Sequence, residues 1–278
     1  MTASAAPAAS SSLSSSIGTG RSTLDLIRHQ SSYELRMFWR NKQSRFFTIA
    51  LPILFLLIFA TIWRNDTVKV AGGEIKESVY YVPGIMTLGI LSAAFNNLVI
   101  SITAARESGI YKRRRATPVS APALVAARAL TSVVVALAMT AVLLIIGWAA
   151  YGANVPGRTA AALVVDIVVG STAFCCLGFA LASVIRDADA AQPVTQAVTL
   201  PLLFISGVFI PSSVMPHWLT DIASAFPVRR LANALLTAYN PHTAGAGFSW
   251  LDLLIIALWG GAGLVIALRR FSWTPLAR

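Results

Sequence analysis

Residues 106–120, RESGIYKRRRATPVS, lie between two long apolar runs and carry Arg106, Glu107, Lys112, Arg113, Arg114 and Arg115 within ten positions. Each Arg or Lys at the centre of a bilayer costs roughly 2.5–3.5 kcal/mol even on the lenient insertion scale, so this cluster must face water. The excess of basic residues on cytoplasmic loops makes that water the cytoplasm. A plain stop-transfer loop and a short helix that docks on a soluble partner both satisfy this requirement.

The flanking runs exclude a soluble enzyme. Hydrophobic residues make up 56% of the 278 residues and charged residues 12%, about half the charged fraction of a soluble domain. The net charge of +11 does not indicate nucleic acid, because the basic residues sit at the ends of apolar runs and no basic-aromatic motif occurs. Cys175 and Cys176 are adjacent inside an apolar run. They read as small residues at a helix interface rather than a disulfide.

In chain order, residues 1–20 are Ser/Ala-rich and read as a disordered tail without signal-peptide features. Residues 21–45 read as a cytoplasmic amphipathic connecting helix. Leu24, Ile27, Ser31, Leu35 and Phe38 fall on one face and Asp25, His29, Ser32, Arg36 and Arg40 on another. Residues 46–270 read as an all-α polytopic domain of six transmembrane helices. The spans are predicted at Phe46–Trp63, Val79–Ala105, Pro122–Trp148, Ala160–Ile185, Pro193–Ile210 and Leu251–Leu268. A near-neutral loop from Arg64 to Ser78 is external. Between spans 5 and 6, prolines 211, 216 and 227 divide residues 211–242 into extracellular helices too short to cross. Residues 271–278 form a cytoplasmic tail. Of the 22 Lys and Arg residues, 16 then fall inside and 6 outside, with both termini cytoplasmic.

Three polar residues within spans stand out. Asn96 and Asn97 bond across helices or contact a solute. Asp166, two turns into span 4, is predicted to be solvated or paired with Arg158. Arg128, near the start of span 3, is predicted to snorkel to the interface.

Catalytic motifs are absent from the sequence. None of Lys42, Lys69, Lys76 and Lys112 follows a glycine, so a GxxxxGK phosphate loop cannot form. His29, His217 and His242 have no companions at metal-ligand spacing, and GxSxG does not occur. Uphill transport by this chain would need an ion gradient or an external motor, and Asp166 is a poor basis for ion coupling.

Two motifs carry a resemblance. The first is Arg106-Glu107-Ser108-Gly109 followed by Thr117-Pro118-Val119-Ser120, with Ile110, Tyr111 and Lys112 where the family has Thr-Leu-Glu. The second is Ser206-Gly207, then Pro211, Pro216, Trp218, Pro227 and Leu231. From Leu24 to Arg270 the chain resembles the membrane subunit of ABC-2 type exporters, in the daunorubicin-resistance permease group. The resemblance implies a multi-pass permease in the plasma membrane with no ATPase site or cofactor of its own. A cytoplasmic ATP-binding-cassette subunit would carry ATP and Mg, and a second permease chain and membrane lipids would be the other partners. Residues 106–120 would be the coupling helix, with Arg106, Glu107, Gly109, Lys112, Arg113, Arg114, Arg115 and Pro118 as its contacts. An amphipathic drug-like or lipid-like compound would pass Phe95, Asn96, Asn97, Phe204 and Phe209. Export of a lipid-linked polysaccharide fits the same architecture. A non-transporting scaffold or sensor is the reading from another class.

Overall fold

The computed structural model describes residues 23–109, 121–153, 156–211 and 214–270. It is predominantly helical. The first helix, α1 (Thr23–Arg40), leads into a short α2 (Lys42–Arg45), a π-turn (Phe46–Ala50) and α3 (Leu51–Ile62). The π-turn explains how Pro52 is tolerated in this apolar helix. Leu51 N–H bonds to the Phe46 carbonyl, five residues back, and the widened turn accommodates a proline that cannot donate.

The loop between the first two predicted spans departs from the all-α prediction. β1 (Thr67–Val70) and β2 (Gly73–Lys76) pair antiparallel, Val68 opposite Ile75. Both of these side chains are buried, the period-two alternation of a strand with one covered face. A run too polar to enter the bilayer therefore still contributes apolar residues to the core.

The centre of the bundle is a continuous rod of 31 residues, Glu77–Glu107. It consists of α4 (Glu77–Leu91), a second π-turn (Ser92–Asn96) and α5 (Asn97–Glu107). Every residue from Tyr80 to Leu91 is buried, because α4 is apolar all round and is enclosed by its neighbours. Around it stand α6 (Ala121–Tyr151), α7 (Ala160–Val184), α8 (Ala188–Ile205) and α11 (Trp250–Arg270). Among the described residues, four helices are long and apolar enough to cross a bilayer: 77–107, 125–151, 160–184 and 250–270. Phe46–Ile62 is a shorter apolar helix. Leu254, Leu258, Ile145 and Trp148 remain exposed on outward faces, a surface that a soluble domain would not present. The chain is a multi-pass membrane protein.

Two predicted boundaries move. Asp187 precedes α8, which begins at Ala188 rather than Pro193. The turn before it is thereby shortened to Ile185–Asp187. Gly207, at φ +86°, ends α8 by entering the left-handed region that side chains resist, so the helix stops before Ile210.

The proline-divided segment forms α9 (His217–Ser224) and α10 (Pro227–Tyr239). Of these, α10 is inserted in the bundle, with Val228, Leu231, Leu235 and Ala238 fully covered. Its C-terminus is tied to the hairpin by Asn240 Nδ2 donating to Ala71 O at 2.9 Å and to the α6–α7 connection by Thr159 Oγ1 donating to Ala238 O. These loops therefore gather at one end of the bundle. The opposite end, the predicted inner end, carries α1, the last turn of α5 and the α7–α8 turn.

The α7–α11 contact depends on small residues. A Cβ on Gly260 would lie 2.8 Å from Ala173, and one on Gly263 would lie 2.9 Å from the Leu177 backbone nitrogen. Cys175 and Cys176 are free and buried beside this seam, consistent with their reading as small interface residues.

Candidate functional site

At the inner end, α5 stops at Glu107, and Gly109 turns the chain away at φ +71°. Arg106 is only 3% exposed. Its Nη1 donates to Ala182 O at 3.0 Å, and its Nη2 donates to Ile185 O and to Arg186 O. These carbonyls are at the C-terminal end of α7, where the intrahelical ladder runs out and the helix dipole favours a cation. The next residue does the reverse. Glu107 Oε2 accepts from the Ala188 backbone N–H at 3.0 Å, the first residue of α8, where unpaired donors favour an anion. Two consecutive side chains thus hold both sides of one inner turn.

Arg106 and Glu107, two of the predicted coupling residues, are thus engaged within the chain. The Arg106 guanidinium is buried against α7, held by three main-chain oxygens. Lys112, Arg113, Arg114, Arg115 and Pro118 lie outside the described residues.

A cavity of about 300 Å³ opens between α3, the second π-turn and α8. Asn96, Asn97, Phe204 and Phe209 are among its lining residues. Phe95 is not among its walls. That ring is buried on the far side of the rod, edge-on to Phe174 with centroids 6.5 Å apart. Asn96 accepts a hydrogen bond from Thr199 Oγ1 at 2.9 Å, the cross-helix amide bond expected at this depth. Both π-turns contribute walls, through Phe47 and Thr48 on one side and Ser92 and Asn96 on the other. The wider helical turn is a frequent feature of functional sites.

The cavity is graded. Asn41, Gln192 and Gln196 supply amides towards the inner end. The other end is closed by rings packed around Phe209. Phe59 stacks on it at 5.6 Å, Phe55 meets it edge-on at 5.6 Å, and Phe204 lies at 5.4 Å. The described walls carry no charged residue. Sequence reading missed the glutamines, although Gln192, Gln196, Thr199 and Leu203 follow the i, i+4, i+7, i+11 spacing of one helix face. The predicted start at Pro193 had left the first of them outside the helix.

A second, smaller cavity of about 120 Å³ lies between α1, α5 and α6. Here Arg128 meets Glu34 and Ser101. Its Nη2 is 2.9 Å from Glu34 Oε2, and its Nη1 is 3.3 Å from Ser101 Oγ. Ser31 Oγ donates to Ala127 O at 3.2 Å. The inner face of α1 therefore carries Ser31, Glu34 and Phe38, and the acid among them draws Arg128 into the bundle.

Asp166 also departs from prediction. It is fully buried, and neither carboxylate oxygen has a hydrogen-bond partner among the described residues, whereas Arg158 is exposed. Arg230 pairs instead with Asp252 at 3.0 Å.

Comparison with known proteins agrees with this architecture. Residues 27–239 match the family described as ABC-2 type transporter. The chain is similar to the daunorubicin resistance ABC transporter permease protein DrrB1 of Streptomyces coeruleorubidus, at 29% identity over 198 residues. That match covers 67% of this chain and 65% of the relative, so the chain spans somewhat less than two thirds of the relative's length. A buried central rod, an inner turn held by an Arg-Glu pair and a family match across most of the sequence agree: this chain belongs to the ABC-2 type transporter family.

Proposed function

We infer that this chain is the membrane-spanning permease subunit of an ATP-driven exporter. It moves an amphipathic drug-like or lipid-like compound from the cytoplasmic side outwards across the plasma membrane. Six spans, counting Phe46–Ile62 and Ala188–Ile205 with the four longer helices, carry both termini to the cytoplasm. ATP and Mg are bound by a separate ATPase subunit that docks on the basic stretch between α5 and α6, and the permease contributes no catalytic residue.

The graded, uncharged cavity is the observation that carries this reading. Amides at one end and packed rings at the other suit a solute with a polar head and an apolar or aromatic body, because a charged wall would have to be desolvated as the solute moved. The cavity is also a groove. Phe204 is 51% exposed and Leu200 47% exposed along its rim, and a second permease chain facing it would complete the wall.

The test is co-expression with an ATP-binding-cassette ATPase subunit, followed by reconstitution in liposomes with daunorubicin as the probe. Accumulation that needs ATP and survives collapse of the proton gradient supports the reading. Changing Arg113, Arg114 and Arg115 to Glu should abolish accumulation and detach the ATPase. Normal transport by that triple variant would overturn the docking role, and movement of no solute by any complex would favour a scaffold.

A further inference from the structure

We propose that Arg106 and Glu107 are positioning residues that weld the α7–α8 turn to the inner end of α5, so that displacement of α5 is passed directly to the wall of the cavity. This rests on the reading of the α5–α6 connection as the ATPase-facing one. Arg106 satisfies carbonyls of Ala182, Ile185 and Arg186, and Glu107 satisfies the Ala188 N–H. Because the two residues are consecutive on one helix end, α7 and α8 cannot shift relative to α5 without breaking charge-assisted hydrogen bonds. The turn itself is only Ile185–Asp187, too short to absorb a displacement by bending.

The second half of the linkage lies farther up α8. Thr199 bonds to Asn96 on the same central rod, eleven residues or roughly 17 Å along the helix from Ala188. Gln192, Gln196 and Phe204 line the cavity along this stretch. α8 is therefore tied to the rod at its inner end and near its middle, with its cavity face on the same helix. A pull on α5 displaces the amide-bearing wall as a rigid lever. The dipeptide acts by transmission, and neither side chain need touch the ATPase or the solute.

The experiment uses the full permease–ATPase complex with an environment-sensitive fluorophore on Asp189→Cys. That position is exposed beside the turn, whereas both native cysteines are buried. ATP should change the signal in the parent complex. Glu107→Ala, which removes only an exposed acceptor, should reduce the ATP-dependent change about tenfold, the weight of one charged hydrogen bond, with the ATPase still bound. Glu107→Gln keeps an acceptor oxygen and should restore most of the signal. Arg106→Lys should give an intermediate loss. An unchanged signal in Glu107→Ala would overturn the weld and leave the transporter reading standing. Dissociation of the ATPase from Glu107→Ala would also overturn it, by showing that the side chain is a direct contact. A parent complex that neither binds the ATPase nor responds to ATP would overturn the transporter reading itself, and the weld with it.

Discussion

The carboxylate of Glu34 and the guanidinium of Arg128 meet at 2.9 Å, with side chains only 1% and 13% exposed. This pair joins α1 to the inner end of α6. Removing one partner strands the other charge away from water, which is the costly case for a buried pair. Glu34→Ala should therefore lower the unfolding free energy by about 3 kcal/mol. Tryptophan-monitored denaturation in detergent would measure it. Combining Glu34→Gln with Arg128→Gln should cost less than the two single changes added together.

The Asn96–Thr199 bond offers a finer measurement. It links the second π-turn to α8 at the cavity. Interhelical hydrogen bonds of this kind average about 0.6 kcal/mol in double-mutant cycles. Asn96→Leu and Thr199→Val should show coupling of about that size in unfolding experiments. A coupling of zero would mean that the π-turn is held by packing alone.

Gly261 and Gly263 should behave oppositely. A Cβ at Gly263 would meet backbone atoms of Cys176 and Leu177 at 2.9–3.0 Å, whereas one at Gly261 meets nothing within 4 Å. Backbone cannot rotate away as a side chain can. Gly263→Ala should cost about 1–3 kcal/mol, and Gly261→Ala should be neutral or slightly stabilising through helix propensity. Thermal unfolding of the two variants side by side would show the difference.

Asp166 predicts a stabilising change. Its carboxyl is buried without a hydrogen-bond partner among the described residues, an arrangement that costs folding energy. Asp166→Asn keeps the shape and removes the acid, and should raise stability by about 1 kcal/mol. A fall in the melting temperature would reveal that the carboxyl is held by a group that needs its charge.

Apolar run length placed the long helices to within a few residues, because hydrocarbon admits few alternatives to an apolar helix. Phe46–Ile62, Glu77–Glu107, Ala121–Tyr151 and Trp250–Arg270 all fall close to their predicted spans. Where two sequence cues competed, the weaker position failed. Pro193 predicts a helix start, but Asp187 lies just before the first residue of α8. The hairpin at Thr67–Lys76 carries little strand signal, because its strands are four residues long and mostly polar.

The site was legible only in part. Asn96, Phe204 and Phe209 could be placed on spans, but their convergence with Gln192 and Gln196 depends on how α8 rotates against the central rod. That rotation is set by long-range contacts. Arg106 shows the limit most clearly. Sequence alone establishes that a charge at the end of a span must find polar company, because hydrocarbon cannot solvate it. Tertiary structure alone decided that this company is the C-terminal end of α7 rather than solvent, since only folding brings Ala182 and Ile185, more than 70 residues distant in the chain, within reach of its guanidinium.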